Sequence, residues 1–474
     1  MLKKIFLLAI FILSSVAVYA QQASYSLTMD DAIKTALENN REIKLAKLDV
    51  EKGEAAVKEA FGYAMPTLDF SAGFTHFLKK PMMPFPDFNA MLNNSTYGIL
   101  FQEGIIPYDP NKLMPMDYKL QSFALANNYK AEFQLSQILF NSAVFRGIGA
   151  SKIYLNLSKV KLKETVSQTV LKVKKAFYGV LLTEQLYDIA LARYNNAKEH
   201  LENVKAMREQ GLVPEFTEMR VKVEVENIKP ILKQLENAHT NALNGLKIVL
   251  NIPQDGKVEV KGKMEYTEDE LPLLEDLIAS GKELNLNIQT LKVKKQLDEE
   301  MKAIDAGAYW PTLVGFANYA FNGAGEKWDF NDYQTSTVGI SFSINLFQGM
   351  RTYHKVQQDE ITIKQTNEQI KTLTDAIVMK IVSKYNDLLR VKNEILSMRD
   401  NVKLAEEAYK IAEDRFNHGL SSRLEVNDAD VALSKARVNY TQAVHDYLVA
   451  KAELYDLVGK VEQEYLDYVK DYIE

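Results

Sequence analysis

The stretch "HGLSSRLEVNDA" at 418–429 sets two carboxylates, Glu425 and Asp428, three positions apart. On a helix that spacing puts both on one face. Brought together in several copies, such acids would attract cations and repel anions. The plainer alternative is a glycine-capped helical hairpin, with solvated acids in the first turn, where the helix dipole favours them. A second candidate is the set Met82, Met83, Met91, Met114 and Met116 in the proline-rich segment 78–127. Thioethers are soft ligands for Cu(I) or Ag(I), but methionine more often fills gaps in a folded loop. The six histidines (76, 200, 239, 354, 418, 445) show no ligand spacing such as HExxH, and "GIGASK" (147–152) lacks the third glycine of a dinucleotide loop. No nucleophile, base and orienter stand together. The expectation is a protein that is not an enzyme and carries no cofactor and no metal.

What, then, must position the two acids? The chain begins with Lys3 and Lys4, an apolar run over 5–18 and "VYA" before Gln21, the pattern of a signal peptide cut after Ala20. The apolar run is too short to span a membrane. There is no cysteine, hence no disulfide and no lipidated N-terminal cysteine. A net charge of −6, or −8 once Lys3 and Lys4 are removed, makes nucleic acid an unlikely partner. Nothing beyond residue 20 is apolar for long enough to form a transmembrane helix, so any membrane segment must be built of strands.

The chain also repeats itself. "MDDAIKTALENNREIKLAKL" (29–48) lies on "LEDLIASGKELNLNIQTLKV" (274–293), and the register ends on two Pro-Thr-Leu steps at Pro66 and Pro311. Farther on, "SQILFNS" (136–142) matches "SINLFQG" (343–349), and Gly211 matches Gly419. Duplication explains this better than chance. The expected organisation is a signal peptide over 1–20, a first repeat over 21–252 and a second over 253–474. Each repeat reads as helix, strand, loop, strand, very long helix, tight turn and return helix, with the turns near 211 and 419.

An apolar 3–4 spacing through Ile370, Leu373, Ile377, Ile381, Tyr385, Leu388, Ile395, Met398, Val402, Ala405, Tyr409, Ala412 and Phe416 is a coiled-coil seam. It predicts one helix over about 350–418, with an equivalent over 146–210 in the first repeat; Pro230 should kink the return helix. Strands are expected at 67–77, 128–140, 312–322 and 335–347. In the last, Val338, Ile340, Phe342, Ile344 and Leu346 alternate with small or polar residues. Runs of about ten residues, apolar on one face only, fit a transmembrane β-barrel. Four strands cannot close one, and lipid tolerates no open edge, so several chains must share it. Two chains would give eight strands and three would give twelve. Pro66 and Pro311 are then where helix gives way to barrel.

In "LTMDDAIKTALENNREIKLAK", the two "PTL" steps, "LFNS", "LFQG" and the two glycine turns, the chain resembles the TolC-like outer-membrane efflux protein family. The resemblance covers nearly all of the mature chain and rests on order and spacing. It implies a mixed α/β membrane protein: a homotrimer with one shared twelve-stranded barrel in the outer membrane and a long periplasmic α-helical tunnel. It further implies a tripartite efflux or secretion system with a periplasmic adaptor protein and an inner-membrane pump. Carried over by position, Gly211, Leu212, Gly419 and Leu420 would form the periplasmic tip where the adaptor docks, and Glu425 and Asp428 the periplasmic gate. The family's Tyr, Asp and Arg links across the closed aperture read here as Phe416, Thr217 and Ser421, so those links cannot form. The rival expectation is an exported coiled-coil scaffold that conducts nothing; it would need no lipid-facing strands.

Overall fold

The structure, a computed structural model, describes residues 24–268, 270–460 and 463–473. The leader expected over 1–20 lies outside them. The described residues divide into a helical body (within 24–57, 149–302 and 357–473) and a sheet body (58–148 and 303–356).

The helical body opens with a short strand, β1 (Ser24–Leu27), paired in parallel with β6 (Lys257–Val260), an element the sequence pattern does not announce. Helix α1 (Met29–Asn39) starts in a capping box: the Asp31 N–H donates to Thr28 Oγ1 while the Thr28 N–H donates to Asp31 Oδ2. Helix α2 (Arg41–Gly62) follows at once. The counterparts in the second half are α6 (Leu274–Leu284) and α7 (Leu286–Ala306). Two much longer helices, α4 (Ser142–Glu209) and α8 (Arg351–Asn417), have 68 and 67 residues. At 1.5 Å per residue each is about 100 Å long. Their return partners are α5 (Glu215–Leu250) and α9 (Arg423–Leu457), and α5 continues unbroken through Pro230.

Coiled-coil spacing decides which residues form the core. Leu162, Val166, Val173, Phe177 and Val180 of α4 meet Ile377, Ile381, Leu388 and Ile395 of α8 and Val444, Tyr447 and Leu454 of α9 in one buried cluster. Narrow stripes at steps of three and four leave the rest of each helix free for charge, as a seam requires. Farther along α8, Val402, Ala405, Tyr409, Ala412 and Phe416 keep the spacing but are only half-buried.

In the sheet body, β2 (Thr67–His76), β5 (Asn127–Phe140), β7 (Thr312–Gly325) and β8 (Asn331–Ser343) form one antiparallel sheet in the order β2-β5-β7-β8. The register aligns Leu68, Leu135, Ala317 and Val338 in one row and Phe70, Phe133, Tyr319 and Ser336 in the next. On the other face run Asp69, Gln134, Asn318 and Thr337, then Ser71, Glu132, Ala320 and Thr335. One face is therefore predominantly apolar and the other predominantly polar. Nothing in the described chain covers the apolar face: Val338 is 84% exposed and Ile340 69%.

Three expectations need correction. The fourth strand ends at Ser343, so Ile344 and Leu346 lie outside it. Its alternation continues, but its partner does not: Thr312 is the first residue of β7, and Pro311 before it has no N–H to extend the ladder. Conversely, β7 runs on to Gly325 and draws β8 back to Asn331. The segment 78–127 is no plain loop. It holds β3 (Met83–Pro86) paired with β4 (Tyr118–Gln121), and between them α3 (Phe88–Gln102), capped by Asp87. Asp87 also pairs with Lys119, tying the helix start to the hairpin. No described helix is long and apolar enough to cross a membrane.

Candidate functional site

Each long helix ends in the same way. The Gly211 N–H donates to the Arg208 carbonyl at 2.9 Å and the Leu212 N–H to the Met207 carbonyl at 2.9 Å. The Gly419 N–H donates to the Phe416 carbonyl at 2.9 Å and the Leu420 N–H to the Arg415 carbonyl at 2.8 Å. This pair of bonds is the Schellman motif, which needs a left-handed residue, and φ is +74° at Gly211 and +71° at Gly419. A Cβ at either would touch nothing, so backbone conformation alone demands glycine. The next residues, Leu212 and Leu420, are 67% and 70% exposed. Phe216 and Leu424, one helical turn along, are exposed as well.

Glu425 and Asp428 stand on the exposed side of α9, while Val426 between them is buried. The Glu425 N–H is held by the Ser422 carbonyl at 3.1 Å, which fixes the first turn. Phe416 is occupied: the Arg423 guanidinium lies over its ring at 5.1 Å. Ser421 Oγ donates to the Ala412 carbonyl at 3.3 Å, and the Thr217 N–H to the Pro214 carbonyl at 3.0 Å.

Other charged residues, which have no local partner in sequence, tie the two hairpins together. Arg193 of α4 lies 4.0 Å from Glu224 of α5 and 3.9 Å from Asp430 of α9, and Asn196 Nδ2 donates to Asp430 Oδ1 at 3.1 Å. Burial pushes the Glu224 carboxyl up, and the Arg193 guanidinium opposes that shift. Beside this cluster the four helices line a cavity of about 460 Å³, partly open to solvent, with His200, Thr217, Val221, Glu224, Phe416 and Arg423 among its walls. Burial, reinforced by the charge of Arg423, lowers the His200 imidazole to about 4, so it is neutral at ordinary pH.

Where helix gives way to sheet, both Pro-Thr-Leu steps follow a tightened last turn. The Met65 N–H donates to the Gly62 carbonyl at 3.0 Å before Pro66, and the Trp310 N–H to the Gly307 carbonyl at 3.0 Å before Pro311. Proline then forbids further helix, and β2 and β7 start at the next residue. Asn141 Nδ2 donates to Thr312 Oγ1 at 3.1 Å, and Gln137 Nε2 to the Ala64 carbonyl at 2.8 Å, pinning the starts of β2 and β7 to the end of β5. The two tryptophans of the chain flank β7. Trp310 is exposed at its start, and Trp328, also exposed, follows its end and stacks on Phe74 with ring centroids 5.5 Å apart.

Comparison with known proteins gives a consistent picture. A family model described as "Outer membrane efflux protein" matches residues 303–460. The chain is 19% identical to outer membrane protein TolC of Escherichia coli (strain K12) over 352 residues, 72% of this chain and 71% of that protein. It is 22% identical to outer membrane efflux protein BepC of Brucella suis biovar 1 over 393 residues, 80% and 84% of the two chains. Among solved structures, the CmeC outer membrane channel of Campylobacter jejuni superposes with a TM-score of 0.70 at 14% identity, over 94% of this chain and 89% of that one. At that identity the superposition establishes the fold.

Proposed function

We propose that this chain, which is similar to TolC-like outer membrane efflux proteins, is the outer-membrane channel of a tripartite efflux or secretion system. Three copies share one twelve-stranded barrel, each adding four strands, and their long helices extend into the periplasm as a tunnel. A periplasmic adaptor takes hold at Gly211, Leu212, Gly419 and Leu420. Glu425 and Asp428 of three chains converge on the closed aperture. Cargo, small molecules among it, passes from an inner-membrane pump or the periplasm to the exterior. The two halves, 21–252 and 253–474, are copies of one ancestral unit, and Pro66 and Pro311 mark the same helix-to-barrel junction in each.

One observation carries this reading: among the described residues, the four-stranded sheet has an uncovered apolar face, a polar face behind it and two unpaired edges, β2 and β8. In water such a face invites aggregation, and in lipid an open edge leaves unsatisfied backbone groups, each costing several kcal/mol. Closing the edges against other copies and turning the apolar face to lipid removes both problems. The exposed tryptophans flanking β7 suit the interfacial girdles of such barrels. A non-conducting scaffold would leave the apolar face without a partner.

Native mass spectrometry of the detergent-extracted protein, joined to planar-bilayer recording, tests the assembly and the duct together. A heat-modifiable trimer with stepwise conductance is expected. A water-soluble monomer, or a trimer that never conducts, would overturn the reading.

A further inference from the structure

The cavity between the hairpins holds a combination that neither packing nor the export reading requires. Arg423 presents its guanidinium there, the central carbon 5.1 Å from the centroid of the Phe416 ring. Its Nε is buried and has no hydrogen-bond acceptor among the described residues, and among them Arg423 makes no salt bridge. Glu224, an acid that lines the same cavity, lies 4.0 Å from Arg193, and the charges of Arg193, Arg220 and Arg423 all favour its ionised form. Arg220 adds a second positive charge to the lining, and His200 contributes a neutral ring. The remaining walls are apolar at Val204, Val221 and Leu424 and polar at Asn203, Thr217 and Asn427. A buried donor without an acceptor is expensive to retain, and a guanidinium edge matches the two oxygens of a carboxylate.

From this geometry we infer that the cavity formed by α4, α5, α8 and α9 beside the glycine turns is a binding site for a small organic carboxylate with an apolar body. Arg423 takes the carboxylate and the valine and leucine walls take the body. A cavity of about 460 Å³ lies in the range of small-molecule sites. A ligand there would touch all four helices near both turns, so its occupancy would bear on how the hairpins pack. The inference does not depend on what the chain transports.

The probe is 2-naphthoate, with neutral 2-naphthamide as its uncharged counterpart, titrated by calorimetry into the full-length protein in detergent. Saturable naphthoate binding is expected, with the amide weaker by about tenfold or more. Arg423→Gln should weaken naphthoate by a similar factor. Thr217→Trp, which fills the cavity from α5, should abolish binding, with circular dichroism and assembly unchanged. Equal uptake by the parent protein and Thr217→Trp would mean partition into detergent and would sink the proposal. Amide binding as tight as naphthoate would remove the charged recognition and overturn it too. The latter two comparisons decide the matter even if Arg423→Gln fails to fold.

Discussion

Asn40 and Asn285, 245 residues apart, make the same three hydrogen bonds. Asn40 Oδ1 accepts from the Glu42 N–H at 2.8 Å and the Ile43 N–H at 3.4 Å, and its Nδ2 donates to the Val249 carbonyl at 3.0 Å. Asn285 Oδ1 accepts from the Asn287 N–H at 3.1 Å and the Ile288 N–H at 3.2 Å, and its Nδ2 donates to the Leu457 carbonyl at 2.9 Å. Each asparagine ends one short helix, caps the next and ties both to the end of a return helix. Both are buried, so truncation leaves a carbonyl and two N–H groups short of partners. Asn40→Ala and Asn285→Ala should each destabilise the helical body by about 1–3 kcal/mol. The check is the thermal midpoint by circular dichroism; no change in either variant would mean that water replaces the side chain at no cost.

The two faces of the sheet should respond oppositely to charge. Val338→Lys puts an ammonium on the apolar face, where a mid-barrel cation in lipid costs about 2–4 kcal/mol. Thr337→Lys puts the same charge on the polar face, next in the strand. The yield of heat-modifiable trimer in outer-membrane fractions should fall for the first and hold for the second. Equal yields would contradict a lipid-facing apolar side.

At the turns, valine in place of Gly211 or Gly419 meets no steric clash but forces a β-branched residue into left-handed backbone, at about 1–2 kcal/mol each. The double variant should still assemble while losing capture of the periplasmic adaptor in a pull-down. Undiminished capture and efflux would place docking elsewhere.

For the aperture, Glu425→Ala with Asp428→Ala removes two carboxylates per chain, six from a trimer. Bilayer recordings should show weaker cation selectivity and loss of block by multivalent cations added from the periplasmic side. Selectivity and block that survive the double substitution would make these acids ordinary hairpin residues.

His200 predicts a pH dependence. Its imidazole is lowered to about 4 in the folded chain, against about 6.5 when unfolded. Between those values the unfolded chain binds the extra proton, so this contribution destabilises the fold progressively as pH falls from about 6.5 to about 4 and is absent above. Thermal midpoints across that window should fall less steeply for His200→Gln than for the parent protein. Parallel curves would show that another group governs the acid limb.

What the sequence by itself determined is what a local period encodes. The 3–4 spacing from Ile377 to Ile395 marks a long helix with one buried seam, and the alternation of Leu68, Phe70 and Phe74 marks a strand with one apolar face, because a side chain's direction depends only on the local backbone repeat. Gly211 and Gly419 were legible for the same reason: a Schellman turn is closed within six residues. Asn40 and Asn285 stood in the repeat register too, but their role needs the Val249 and Leu457 carbonyls, which no spacing reveals. The tertiary structure alone decided the sheet order β2-β5-β7-β8, the end of β8 at Ser343, the parallel pair β1 and β6, and the bonds from Arg193 and Asn196 to Asp430. Each depends on partners far apart in the chain, and a partner's end, such as Pro311, can stop a strand whose own pattern continues. The cavity around Arg423 belongs to the same class, since its walls come from four helices and exist only once those helices pack.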